Sequence, residues 1–147
     1  MVRWNNAVAI ITGGADGMGL EMAAILASTG CDLALVDLSL VKLDAAEKKC
    51  RQRILAATGV RKEIIISKHV CDVSDRKKVN DLPREVVKNH KCANRNILLF
   101  NNAGIGGGVS LVTSTVEDFD RVLNIDWGGV YYCTRAFLPL MMVAPAA

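Results

Sequence analysis

The residues best suited to chemistry stand near the amino terminus, where Thr12-Gly13-Gly14-Ala15-Asp16-Gly17-Met18-Gly19 follows a short apolar run, Ala7-Val8-Ala9-Ile10-Ile11. β-branched residues suit a buried strand, and glycines permit a tight turn whose backbone comes close to a ligand. Leu20 to Thr29 then reads as a helix that stops at Gly30. Such a helix aims its free N–H groups and the positive end of its dipole back at the turn, where a pyrophosphate can sit. A second apolar run ends in Asp37, 24 positions after Gly13. A carboxylate about 20 residues beyond a glycine turn is placed to accept hydrogen bonds from an adenosine ribose, and its charge repels a 2'-phosphate. A ligand-free glycine turn and a strand-end acid that caps the next helix are the plainer alternatives.

Alternating elements are needed to position these residues. Cys31 to Asp37 reads as a second strand. Ser39 to about Thr58 follows as an amphipathic helix with Leu40, Leu43, Ala46 and Ala57 on its apolar side, ending near Gly59. Glu63 to Val70 gives a third strand, and Ser74 or Asp75 is placed to cap the helix over residues 75 to 91. That helix carries an apolar stripe at Val79, Leu82, Val86 and Val87, with Pro83 predicting a kink or a broken first turn. Asn96 to Phe100 is a fourth strand running into Asn101-Asn102-Ala103-Gly104 and the flexible Gly106-Gly107-Gly108. Val116 to about Met142 reads as one long helix with Phe119, Val122, Leu123, Trp127, Val130, Tyr131, Phe137 and Leu138 on its apolar side. Four such alternations imply an α/β fold with a doubly wound parallel sheet, right-handed crossovers and strand order 3-2-1-4.

Composition narrows the partners. The chain has 147 residues, 51% of them hydrophobic, which suits a single domain over 1–147. Its net charge of +3 comes from bases scattered among acids, arguing against nucleic acid and anionic membrane as partners. Lys48-Lys49 with Arg51 and Arg53 is simplest as a solvated helix face. Cys31, Cys50, Cys71, Cys92 and Cys133 are widely spaced with no C-x-x-C, a pattern of free thiols in a reducing, cytoplasmic setting. His69 and His90 have no partner at ligand spacing, so no metal site is expected. No apolar run reaches the roughly 20 residues that a bilayer span needs.

The common dinucleotide fingerprint is G-x-G-x-x-G, whereas Gly13, Gly17 and Gly19 follow Thr12 as T-G-x-x-x-G-x-G. With that wider spacing and the later Asn101-Asn102-Ala103-Gly104, the chain resembles the short-chain dehydrogenase/reductase family. The resemblance implies a Rossmann-like dinucleotide-binding domain and NAD as cofactor. It places Gly13, Gly14, Asp16, Gly17, Met18 and Gly19 in the cofactor loop and Asp37 at the ribose. It also sets Asp72 and Val73 at the adenine, and Asn102, Ala103 and Gly104 along the cofactor's ribose. Asp16 stands where NADP-preferring relatives often carry a base. Asn124, in Leu123-Asn124-Ile125-Asp126-Trp127-Gly128-Gly129, matches the family asparagine that helps hold a water in a proton relay; a helix asparagine bonding locally is its plainer reading.

Relatives continue with strands carrying a serine and a Tyr-x-x-x-Lys pair that move the proton between the enzyme and an alcohol or carbonyl substrate. This sequence has no Tyr-x-x-x-Lys: Tyr131 and Tyr132 are followed four residues on by Arg135 and Ala136. Arginine does not replace a tunable lysine, and the ending from Pro139 to Ala147 departs from the family pattern. The resemblance therefore implies an incomplete dinucleotide-binding domain, truncated after the fourth strand and its following helix. It is expected to bind cofactor at most, with an exposed strand edge and helix face. The alternative is a non-catalytic nucleotide-binding or interaction module, either a homo-oligomer or pairing with a complete homologue through the last helix.

Overall fold

In the computed structural model, which describes residues 4–58, 63–106, 110 and 112–143, four parallel strands form one sheet. The elements are β1 (Ala7–Thr12), α1 (Gly17–Thr29), β2 (Asp32–Asp37), α2 (Leu40–Thr58), β3 (Ile66–Val70), α3 (Arg76–Asn89) and β4 (Asn96–Phe100). A last helical stretch follows: α4 (Val116–Leu123), a π-helical turn (Asn124–Gly128) and α5 (Gly129–Met142). Strand order is β3-β2-β1-β4, as the alternation predicts. The register sets Ile10 opposite Ala34 on one side and Leu99 on the other.

Strands buried on both faces need apolar residues at every position rather than every second one. All six residues of β1 are buried. Ala7, Ala9 and Ile11 join Leu33, Leu35 and the inner sides of α1 and α2 in one core layer. Val8 and Ile10 join Ala34, Val36, α3 and the Cys133 and Phe137 side of α5 in the other. The carboxyl ends of all four strands thus open on one edge, which is where crossover loops gather in such a sheet.

Three boundaries differ from the pattern reading. The third strand starts at Ile66, not Glu63, because Asp32 Oδ1 accepts the Ile65 N–H at 2.8 Å and stands in for a ladder partner. Helix α3 runs unbroken through Pro83 and is capped by Asp75, whose carboxylate accepts the N–H groups of Lys77 and Lys78 at 3.0 and 3.2 Å. The long last helix is interrupted by its π-helical turn; α4 buries no residue, whereas α5 buries Gly129, Cys133 and Phe137. Gly59, Gly107 and Gly108 lie outside the described residues.

Both histidines are structural. Ser67 Oγ lies 2.8 Å from His69 Nε2 and 2.7 Å from His90 Nε2, both rings being buried. His69 Nδ1 meets Glu85 at 3.1 Å. Asp32 takes a 2.7 Å hydrogen bond from Arg95, which also donates to the Ala7 carbonyl, tying the amino-terminal edge of the sheet together. All five cysteines carry free thiols. The Lys48–Arg53 stretch is largely solvated, with Lys49 paired to Glu21 and Arg51 to Glu47. Among the described residues no cluster suits a metal ion, and no helix is long and apolar enough to cross a membrane.

Candidate functional site

The glycine turn is built by close approach. Leaving β1 at Thr12, the chain takes a left-handed conformation at Gly13, with φ +61°. The Gly14 N–H donates to the Val36 carbonyl at 3.1 Å, which holds the turn against β2. At Gly19, the second turn of contact, a Cβ would overlap the Gly13 carbonyl oxygen and lie 2.6 Å from Asn102 Nδ2. Gly17 opens α1 with φ +49° and has open space around it, so its requirement is conformational rather than steric.

The first-turn N–H groups of α1 have no intrahelical acceptor. Asp16 is the N-cap, its carboxylate accepting the Gly17 N–H at 2.8 Å and pairing with Lys42 at 3.2 Å. Hydrogen bonding from that N–H, then Lys42, lowers the Asp16 pKa. Met18, largely exposed, borders the groove between α1 and β4 together with Met22, Ile25 and Phe100.

A buried hydroxyl joins this turn to the loop after β4. Thr12 Oγ1 donates to the Phe100 carbonyl at 3.3 Å and accepts the N–H groups of Asn102 and Ala103, each at 3.0 Å. The Asn102 amide returns two bonds, to the carbonyls of Thr12 at 3.0 Å and Gly13 at 3.1 Å. Asn101 instead donates to Thr134 on α5 at 3.0 Å.

Between these loops lies a cavity of about 170 Å³ at the carboxyl edge of the sheet. Its walls come from Gly13, from Val36, Asp37 and Leu38 after β2, and from Cys71, Asp72 and Val73 after β3. Ala103, Gly104 and Ile105 after β4 and Ile125 of the π-helical turn complete it. Asp37 Oδ1 accepts the Leu38 N–H at 2.8 Å, and Oδ2 accepts the Ala15 N–H at 3.3 Å, so the carboxylate is fixed beside the turn. Asp72 Oδ1 accepts both the N–H and the hydroxyl of Ser74, at 2.9 and 2.7 Å. Burial pushes the Cys71 thiol up to about 12, so the one sulfur in the wall stays protonated and is no nucleophile.

Of the residues singled out in the sequence, Gly13, Asp37, Asp72, Val73, Ala103 and Gly104 meet at this cavity. Gly14, Asp16, Gly17, Gly19 and Asn102 shape the turn beside it. Met18 and Asn124 are not brought to it: Asn124 is exposed, and its Oδ1 would be 2.9 Å from a Cβ at Gly128. From that helical stretch Ile125 lines the cavity, and Asp126 Oδ1 accepts the Ile105 N–H of the cavity loop at 3.0 Å. Thr12 and Asp126 were both passed over in the sequence. A threonine closing an apolar strand just before a glycine is a local sign for the first; the Gly128-Gly129 pair marks an irregular helix beside the second.

This arrangement recurs in known proteins. Residues 7–147 match the short chain dehydrogenase family. A 3-oxoacyl-(acyl-carrier-protein) reductase of Thermotoga maritima is 30% identical over 141 residues, covering 96% of this chain and 52% of the reductase. Among solved structures, an NAD+-bound xylitol dehydrogenase superposes with a TM-score of 0.82 at 29% identity, over 96% of this chain and 50% of that one. An NADPH-bound short chain oxidoreductase from Pseudomonas aeruginosa PAO1, described as having an atypical catalytic center, gives 0.82 at 30% identity, over 96% and 51%. The chain thus spans about half the length of the relatives it matches. With the family match running from the first residue of β1 onward, and the sheet order and glycine turn in agreement, the chain belongs to the short chain dehydrogenase family.

Proposed function

We propose that this chain binds a nicotinamide dinucleotide, NAD in preference to NADP, as the cofactor half of an oxidoreductase site. The observation that carries the preference is Asp37: its carboxylate lines the cavity and is held by the Ala15 N–H. A fixed negative charge there accepts ribose hydroxyls and repels a 2'-phosphate. The cradle suits the group, because Gly13 has a left-handed backbone, a side chain at Gly19 would meet the Gly13 carbonyl, and the start of α1 is suited to an anion. Asp72 and Val73 are the residues for the adenine side, and Asn102, Ala103 and Gly104 for the ribose side. When bound, the nicotinamide supplies hydride exchange with a secondary alcohol or a ketone. Residues of this chain bind and orient it; no Tyr-x-x-x-Lys is present to move the proton, so binding without turnover is the expected behaviour. Five free thiols suit a reducing compartment such as the cytoplasm.

Thermal midpoints with NAD, with NADP and with Asp37→Ala test this. A ligand that binds only the folded chain stabilises it by about 2.7 kcal/mol at a hundredfold excess over its dissociation constant. NAD raises the midpoint, NADP does not, and Asp37→Ala loses the discrimination. An unmoved midpoint with either dinucleotide would sink the reading.

A second reading is a nucleotide-binding module that pairs with a copy of itself or a complete homologue. It is favoured by the exposed face of the last helical stretch, where Trp127 is 73% and Tyr131 55% accessible, and by β4 having no second strand neighbour among the described residues. Sedimentation of the purified chain, alone and with a full-length relative, distinguishes the two.

A further inference from the structure

Two buried imidazoles converge on one hydroxyl. Ser67 and His69 stand on β3 and His90 ends α3, and all three are buried. Ser67 Oγ lies 2.8 Å from His69 Nε2 and 2.7 Å from His90 Nε2. A hydroxyl has one hydrogen to give, so one ring must accept it and the other must donate to the oxygen. Glu85 on α3 decides which. Its ionised carboxylate, which only accepts, is 3.1 Å from His69 Nδ1, so that nitrogen carries the hydrogen and neutral His69 has a bare Nε2. The Ser67 hydroxyl therefore donates to His69 and accepts from His90 Nε2. Neutral His90 is then bare at Nδ1, the nitrogen that has no hydrogen-bond partner among the described residues. Every hydrogen runs one way, from His90 through Ser67 and His69 to Glu85.

This chain clasps two elements where each is weakly held. Among the described residues β3 pairs with β2 alone, and α3 ends at His90, whose backbone N–H reaches the Val86 carbonyl at 2.8 Å. Cys71, Asp72 and Val73, which follow β3 directly, belong to the cavity wall. A further proton has its place at His90 Nδ1. Asp32 Oδ2 from β2 is 3.8 Å away, but Arg95 already holds that oxygen at 2.7 Å. The charged or titratable groups that face the ring are thus Asp32, Arg95 ahead of β4 and His69 from β3. Burial, with Arg95 and His69, outweighs Asp32, so the enclosed ring refuses a proton that a ring released to water accepts.

We propose that Glu85, His69, Ser67 and His90 form a one-way hydrogen-bond latch that holds the end of α3 on β3, and that proton uptake by His90 releases it. Release frees the edge strand and, with it, the part of the cavity wall that follows. The latch stands whether or not a dinucleotide binds.

Two measurements on the whole chain test this. Nitrogen NMR of the histidine rings at pH 7.5 reads the tautomers: His69 carries its hydrogen on Nδ1 and His90 on Nε2, and the reverse assignment overturns the latch. Hydrogen exchange reads opening, as protection of the His90 N–H and of the Cys71 N–H, which reaches the Asp37 carbonyl at 3.0 Å, against that of Ile10 in the middle of β1. Both latch amides should exchange by an opening that is easier than that of Ile10 and less sensitive to urea. Their protection should fall about tenfold between pH 7.5 and 5.5, because only the released ring takes the proton. In His90→Gln, whose side-chain amide donates to Ser67 but takes no proton, that fall should vanish. If this variant does not fold, Ser67→Ala carries the test: it removes the shared hydroxyl, and both amides should lose protection by roughly tenfold already at pH 7.5. Exchange of the two amides only together with Ile10 and with the same urea dependence overturns the proposal. So does a fall that persists in His90→Gln, or unchanged protection in Ser67→Ala.

Discussion

The Thr12 hydroxyl accepts the backbone N–H of Ala103 at 3.0 Å across 91 residues of sequence. With the Asn102 N–H at the same distance and the Phe100 carbonyl as its own acceptor, it occupies three backbone groups of one loop. Thr12→Val keeps the shape and strands two N–H groups, so it should lower unfolding free energy by about 2–4 kcal/mol. Thr12→Ser should keep most of the stability. Urea titrations with unchanged slope check this; equal stabilities for the two variants would contradict the assigned role.

Two glycines in the turn should respond differently to alanine. At Gly19 the added carbon meets the Gly13 carbonyl and the Asn102 amide, neither of which can move without opening the loop. At Gly17 the carbon enters open space, and the cost is that of a left-handed backbone, about 1–2 kcal/mol. Gly19→Ala should therefore destabilise more than Gly17→Ala and also abolish any NAD-dependent rise in melting temperature.

Acid should weaken the fold first through His90. Burial lowers its pKa below 6.5, against the opposing pull of Asp32, whose Oδ2 is 3.8 Å from Nδ1; among the described residues that nitrogen has no hydrogen-bond partner. As pH falls through about 6.5 the unfolded chain takes a proton that the folded chain refuses, so stability drops. The loss continues down to the lower folded value, at a slope of at most about 1.4 kcal/mol per pH unit. His90→Gln should flatten that slope in denaturant titrations between pH 7.5 and 5.5. Asp16, Glu21 and Glu47, whose pKa values are lowered, act later: their contribution is lost as pH falls from the ordinary carboxylate range to their lower folded values.

Lys42 and Asp16 form an exposed ion pair, 59% and 73% accessible, so separating them should change stability by less than about 1 kcal/mol. Asp16→Asn removes one negative charge beside the turn and frees the Lys42 ammonium. Binding of NADP relative to NAD should improve in that variant, as read by paired calorimetric titrations, and double substitution with Lys42→Met should cancel the gain.

Strand order was legible because four β-branched or aliphatic runs alternate with helical patterns, and right-handed crossovers leave few ways to arrange them. Gly13 and Asp37 could be picked out from the glycine turn and the strand-end acid, and Asp72 and Gly104 from the family resemblance. Other features depend on partners far away in the chain. Nothing local shows that Asp32 serves the start of β3, or that His69 and His90 share the Ser67 hydroxyl. The π-helical turn at Asn124–Gly128 was not marked by the apolar pattern, which reads as one continuous helix. Asn124 was picked out by its resemblance to a family motif, whereas Asp126, two positions on, bonds the cavity loop.

The order β3-β2-β1-β4 also has a consequence for the order of assembly during synthesis. The ribosome delivers β1, β2 and β3 in the sequence in which they pair, so three-quarters of the sheet has its neighbours before α3 is complete. Strand β4 must then dock on the opposite edge of β1, and only afterwards can Asn102 and Ala103 close onto Thr12. At about 5–20 residues per second, the glycine turn waits several seconds for its second wall. During that interval the open edge of β1 is the surface a nascent-chain chaperone would need to cover.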